Sequence, residues 1–269
     1  MRGASRASLA GLMERLSATL PDAPVAQQAG DELFAVVRLL DAEHGLRRAL
    51  ADPAKPGAEK SALARQLLHG RVSPVVEDLV TEAAAAHWAS PGDFVDAIEQ
   101  LAIEAFTMAT QYDGKLDDLE DDLFRFARVV SGSPSLRTAL TGPTDADAKS
   151  SLLADLLSGK VSSPSLSLIT QVLTHPRGRS PQAVLELCAG IAARRREQLI
   201  AVVRVPAELT SQQRQRLART LSEAYGRGIH LNVVLDRTVI GGMSVQIGDE
   251  LIDGTAASRL AEVRRKLAG

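Results

Sequence analysis

The chain has 269 residues, of which 45% are hydrophobic and 24% charged, and its formal net charge is −2 at pH 7. That composition belongs to a globular protein of one to three domains rather than a disordered one, and the balanced charge excludes a global field that draws polyanions. Aromatics at 3% argue against a base-stacking nucleic-acid platform, and the single cysteine, Cys188, excludes an intramolecular disulfide or a CxxC metal site.

No N-terminal segment has the basic, apolar and small-residue order of a secretion signal, and no apolar run approaches the ~20 residues that span a bilayer. The expectation is a soluble intracellular protein that meets a membrane only through a partner. Residues 5–20 read as a helix with Leu9, Leu12, Met13, Leu16 and Leu20 on one face, separated from the rest of the chain by Pro21 to Pro24. Residues 32–53 (ELFAVVRLLDAEHGLRRALADP) then recur as 122–143 (DLFRFARVVSGSPSLRTALTGP). The echo continues through Lys60-Ser61 and Lys149-Ser150, Leu67-Leu68 and Leu156-Leu157, Gly70 and Gly159, and Ser90-Pro91 and Ser180-Pro181. An offset near ~90 residues is longer than the usual solenoid repeat and indicates two copies of a helical subdomain.

Each copy parses alike: a long helix (31–43; 116–131), a short one closing near Leu50 or Leu140, and a helix ending at the glycine of LLHG or LLSG. A fourth helix opens at Ser73-Pro74 or Ser163-Pro164 and a last one at Ser90-Pro91 or Ser180-Pro181, with proline in the tolerated first turn. After about 198 the character changes. Residues 199–205 (LIAVVRV) predict a strand ending at Pro206, and Thr210 caps a helix running to Tyr225. Residues 229–236 and 240–248 predict two further strands, 249–253 a turn, and 254–267 an amphipathic helix. The fold class is therefore mostly α with a small α/β C-terminal domain. Its parts are 1–112, a helical bundle with the first copy; 113–198, the second copy; and 199–269, the α/β domain.

Candidate chemistry is sparse. The five histidines, 44, 69, 87, 175 and 230, have no HExxH spacing. The acidic run from Asp117 to Asp122 lacks the EF-hand glycine and terminal glutamate, and reads as a solvated helix start. Lys60-Ser61 and Lys149-Ser150 resemble the end of a phosphate loop, but Glu59 and Ala148 stand where that loop needs glycine. Gly241-Gly242 precedes a strand rather than a helix and reads as a bulge or close backbone approach. Arg194 to Arg196 read as a helix end or a contact at a domain junction, and Cys188, set in an apolar pattern, as a buried thiol. No nucleophile, base, metal set or cofactor loop emerges, so the chain reads as non-catalytic and without a cofactor.

One pattern is specific. Val234-Leu235-Asp236 is followed by Ile240-Gly241-Gly242, an alternating strand, Gly248-Asp249, Leu251-Ile252-Asp253-Gly254 and a helix carrying Leu260. This resembles the C-terminal signature of the δ subunit of bacterial F-type ATP synthase, a family related to the mitochondrial oligomycin-sensitivity-conferring protein. The duplicated helical region resembles the long actinobacterial form of that family. The resemblance implies a stator subunit of the proton-translocating synthase, bound peripherally on the cytoplasmic side of the cell membrane. Its N-terminal helices would grip N-terminal segments of the α subunits on the F1 α/β hexamer, and its C-terminal domain the C-terminal end of the b subunit. Candidate partner-binding residues are Leu9, Leu12, Met13 and Leu16 in the first helix, and Ile240, Gly242, Met243 and Val245 in the C-terminal domain. The alternative reading is a helical-repeat adaptor unrelated to the synthase.

Overall fold

In a computed structural model of the chain, the described residues are 3–143, 145–197, 199–226, 228–236, 238–239, 241–247 and 250–253. They contain twelve helices and four strands, and divide into two compact units, 1–193 and 194–269.

In the first unit, α1 (Gly3–Thr19) precedes two runs of five helices. The first run is α2 (Ala23–Ala42), α3 (His44–Ala51), α4 (Gly57–Leu68), α5 (Pro74–Ala85) and α6 (Pro91–Tyr112). The second is α7 (Leu116–Gly132), α8 (Pro134–Thr141), α9 (Ala146–Leu157), α10 (Ser163–Thr174) and α11 (Pro181–Glu197). The duplication is thus a repeat of five elements. Its short helices match in length, 8 residues for α3 and α8 and 12 for α4, α5, α9 and α10.

Local chemistry sets these boundaries. Ser90 caps α6 by accepting a hydrogen bond from the Asp93 N–H, with Pro91 following where no intrahelical N–H is needed. Gly70 and Gly159, at φ of 70° and 72°, take the left-handed turn that ends α4 and α9, a conformation that costs a side-chain-bearing residue. The first long helix begins at Ala23, not near 31. Asp22 accepts from the Val25 N–H and Pro24 sits in the opening turn, so the proline pair expected to separate two helices starts the second one.

One hydrophobic cluster runs from Leu12 to Ala192 and includes core residues of both copies. Equivalent positions mostly share burial, as in Leu33 and Leu123, or Leu50 and Leu140. Phe34 and Phe124 do not: Phe34 is 4% exposed, its ring 5.7 Å from that of Phe106, whereas Phe124 is 60% exposed. Asp117 and Asp118 are exposed in the first turn of α7, as expected of a solvated helix start, but Asp122 is not. Its carboxylate is buried and accepts a 2.9 Å bond from the Ser162 N–H, as Glu32 accepts a 2.7 Å bond from the Ser73 N–H in the first copy. The repeat therefore preserves a polar tie between its first and fourth helices.

The second unit holds β1 (Leu199–Val205), α12 (Ser211–Tyr225), β2 (Ile229–Leu235), β3 (Ser244–Ile247) and β4 (Glu250–Asp253). The strands form one sheet in the order β2-β1-β3-β4, with β1 and β2 parallel and the other pairs antiparallel. The parallel pair needs a crossover, which α12 supplies. Thr210 and Gln213 form a reciprocal capping box at its start, and Gly226 ends it at φ 65°.

The strand expected over 240–248 is shorter, and the turn expected over 249–253 is a fourth strand. Gly241 and Gly242 adopt φ of 63° and 84°, left-handed values that keep the segment before Met243 out of the sheet. Ile247 pairs with Glu250 and Ser244 with Asp253, so the segment after 249 returns along β3 as an edge strand. The helix expected over 254–267 lies outside the described residues, as do Gly248 and Asp249 of the signature.

Candidate docking surfaces

The first candidate surface lies on α1, a helix tied down at both ends. Ser5 Oγ donates to Asp93 Oδ2 at 2.7 Å and accepts from the Ala89 N–H at 2.9 Å, while Ser8 Oγ donates to the His87 carbonyl. At the other end Tyr112 donates its hydroxyl proton to the Leu20 carbonyl at 2.8 Å, and Arg15 pairs with Glu82 between. These ties set α1 along α5 and α6 and fix which side faces in. Leu12 and Leu16 are 2% and 0% exposed, interior side chains of the bundle. Leu9 and Met13 are partly buried against the same cluster and keep accessible surface at the edge of α1.

The second candidate surface belongs to the sheet. Alternation sends Ala201, Val203, Val205, Val245 and Ile247 to one face, where they form a small core with Leu221 and the partly buried Leu217 and Tyr225 of α12. Val245 is thus interior at 4% exposure, Met243 is partly buried beside it, and Gly242 is exposed. Ile240 lies outside the described residues. Tyr225 closes this unit by donating its hydroxyl proton to Glu250 Oε2 at 2.8 Å, and that bond raises the phenol above its usual range.

By register, the opposite face carries Val202, Arg204, Val234, Ser244, Gln246 and Leu251. Val234 on β2 is 40% and Leu251 on β4 59% exposed, apolar side chains at the two edges of a face whose middle carries Arg204, Ser244 and Gln246. Sequence reasoning settled on the strand around Met243 and Val245 and missed this face. The signal was available: Val202 and Arg204 are the odd members of an alternating strand, and Leu251 is a hydrophobe in a segment read as a turn.

Neither surface carries reaction chemistry. Among the described residues, no three His, Cys, Asp or Glu side chains converge as metal ligands. Cys188 is 1% exposed on α11; burial, with the Glu99 carboxylate adding to it, pushes its thiol far above the ordinary range. Such a thiol is a packing group. Among the described residues, no helix is long and apolar enough to cross a membrane. The described residues thus form a duplicated helical bundle followed by a four-stranded α/β unit.

The chain belongs to the ATP synthase delta (OSCP) subunit family, whose model matches residues 103–267. That match runs from the middle of α6 through the second copy and the sheet unit, leaving α1 to α5 outside it. Relatives share the full length. The chain is 47% identical to an ATP synthase subunit delta of Thermobifida fusca over 272 residues, and 45% identical to one of Streptomyces griseus over 271 residues, with 100% of each chain covered. It also aligns over 62% of its length with 95% of a chain in a Toxoplasma gondii mitochondrial ATP synthase hexamer, at 16% identity and a TM-score of 0.29, too loose a superposition to define the fold. Membership carries the role of a stator subunit of the rotary synthase, associated with its F1 part, and removes the alternative of an adaptor unrelated to that machine.

Proposed function

We propose that the chain joins the F1 head to the membrane sector by two separate dockings: its helical unit on N-terminal segments of the α subunits, and its sheet unit on the C-terminal end of the b subunit. The observation that carries the reading is full-length identity of 47% to a delta subunit, combined with the division of the chain into two compact units. A stator joint must resist torque through broad non-covalent contact, and stable interfaces of that kind bury more than ~1,000 Å². A partner helix seats by anchors at i, i+3, i+4 and i+7 on an apolar seam. On α1 the anchors meet Leu9 and Met13, with Leu12 and Leu16 fixing the seam from inside. At the sheet unit, Gly242 and Met243 form the rim of the b-subunit contact, with Val245 supporting it from the core; Ile240 is assigned to that contact by the family pattern alone.

In this reading the chain is not an enzyme, takes no cofactor, and sits on the cytoplasmic face of the cell membrane as a peripheral protein held by its partners. Its functional parts are 1–112, 113–198 and 199–269. Purification from detergent-solubilised membranes through a tag on this chain is expected to bring down α, β and b subunits, with one copy of the chain per complex. Deletion of the chain is expected to abolish ATP synthesis driven by the proton gradient. Normal proton-driven synthesis in its absence would sink the proposal, and so would a tagged chain that recovers no synthase subunit.

A further inference from the structure

The two copies share a helix. Displaced by one repeat length, α1 falls on α6, and each packs on the fourth helix of its copy: α1 on α5, α6 on α10. α6 is therefore the last helix of the first bundle and the first helix of the second. Its burial follows: fifteen of its 22 residues are buried, against three of the 17 in α1. A helix buried on all sides has neighbours on all sides.

The connections that hold these two helices differ in chemistry. In the first copy, residues 87–89 reach α1 through Ser5 and Ser8, while Trp88, 2% exposed, plugs the space behind and donates to the Ala83 carbonyl. In the second copy the same stretch is Arg177-Gly178-Arg179. Arg177 Nη1 donates to Asp96 Oδ1 at 2.9 Å and Glu99 Oε2 at 3.0 Å, its Nε lies 2.9 Å from Asp41 Oδ2, and Arg179 donates to the other oxygen of Glu99. Glu99 is 1% exposed, and each of its carboxylate oxygens accepts from one of these two arginines. Arg177 has φ 54° and Gly178 φ 74°; a left-handed arginine is an unfavourable conformation, held here by three carboxylates. A second tie lies alongside, from Arg38 to Gln171 at 2.9 Å and from Gln171 to Asp31 at 3.1 Å.

We propose that the loop 175–180 is an ionic latch that fixes the angle of the second copy about the shared helix α6, so that the two copies move as one arm only while Arg177 and Arg179 hold Glu99. Opening the latch strands a buried carboxylate, which apolar packing around α6 does not compensate. Because Glu99 is out of solvent, added salt screens the contact little. The latch rests on the first unit alone and is independent of the stator reading.

The test uses the full-length chain with nitroxide labels at Glu59→Cys and Ala148→Cys, exposed positions in the opening turns of α4 and α9; the buried Cys188 thiol does not compete for label. Double electron–electron resonance is expected to give one narrow distance distribution, which Arg177→Met broadens and shifts. A folded Arg177→Met chain with an unchanged distribution overturns the latch. The pair Asp41→Asn and Asp96→Asn, whose carboxylates are partly exposed, keeps the proposal falsifiable should Arg177→Met fail to fold. Amide exchange in α8–α10 is expected to quicken about tenfold, the equivalent of one charge-assisted hydrogen bond, with α3–α5 unchanged. Equal acceleration in both copies, or none, refutes it.

Discussion

At the scale of single residues, Gly30 and His175 carry the sharpest expectations. A Cβ on Gly30 would stand 2.4 Å from Cδ2 of the buried Phe106 ring, so α2 approaches α6 only because no side chain intervenes. Gly30→Ala gains about 1 kcal/mol of helix propensity but forces the ring aside, and the net expectation is a loss of about 1–3 kcal/mol in urea unfolding. Combining it with Phe106→Leu should recover part of that loss; strict additivity of the two would show that the ring is not the obstacle. His175 is held below its ordinary range, first by partial burial, then by Arg38 and Lys149, with Asp41 opposing. A depressed histidine contributes stability that is present above its unfolded value of about 6.5 and lost as pH falls from there through its folded value. Urea midpoints at pH 7.5 and 5.5 should therefore lie closer together in His175→Gln than in the parent chain. Neither role was legible in the sequence. Each depends on residues distant in the chain: Phe106 for Gly30, and for His175 the burial of its ring together with Arg38. The same reason explains why Leu9, Leu12, Met13 and Leu16 read as one face although the structure puts Leu12 and Leu16 inside.

At the scale of elements, the repeated tie between a carboxylate and the start of the fourth helix makes a paired prediction. Glu32→Ala frees the Ser73 N–H and hydroxyl, and Asp122→Ala frees the Ser162 N–H. Each is expected to cost about 1–3 kcal/mol by chemical denaturation, whereas the exposed Asp117→Asn stays within about 0.5 kcal/mol. Matching losses at 32 and 122 would mark the tie as part of the repeat; a silent Asp122→Ala would mark it as incidental. In the sheet unit, Thr210→Ala removes one half of a capping box and should cost about 0.5–2 kcal/mol. Helix starts and stops were the legible part of this chain because their signals are local: Ser-Pro at Ser90-Pro91 and Ser180-Pro181, and glycine at Gly70 and Gly159. The β3–β4 hairpin was not read, although Gly248-Asp249 between two apolar runs is a hairpin signal. The alternation of Met243, Val245 and Ile247 carried one strand through 240–248 and left 249–253 as a turn, and the left-handed glycines 241 and 242, which shorten that strand, looked like part of it.

At the scale of the whole molecule, the sheet unit has a core of its own, built by Ala201, Val203, Val205, Leu221, Ile229, Val245 and Ile247. Residues 194–269 are expected to fold as an isolated fragment, and chains lacking 32–112 or 115–198 to keep the same sheet, as seen in superposable amide spectra; collapse of those signals in either deletion would move the boundary. The helical part should be less forgiving. Excising 32–112 removes α6, one of the helices α10 packs on, while excising 23–112 puts α1 in the place of α6 and should retain more helix by circular dichroism. The duplication itself was plain in the sequence because its residues recur; the common helix was not, because its second role rests on packing against α10, a contact between residues far apart in the chain. Digestion should reveal the same economy. A protease working between the copies meets no severable border: a nick within α6 exposes the interiors of both bundles at once, so no stable piece ending there is expected to accumulate.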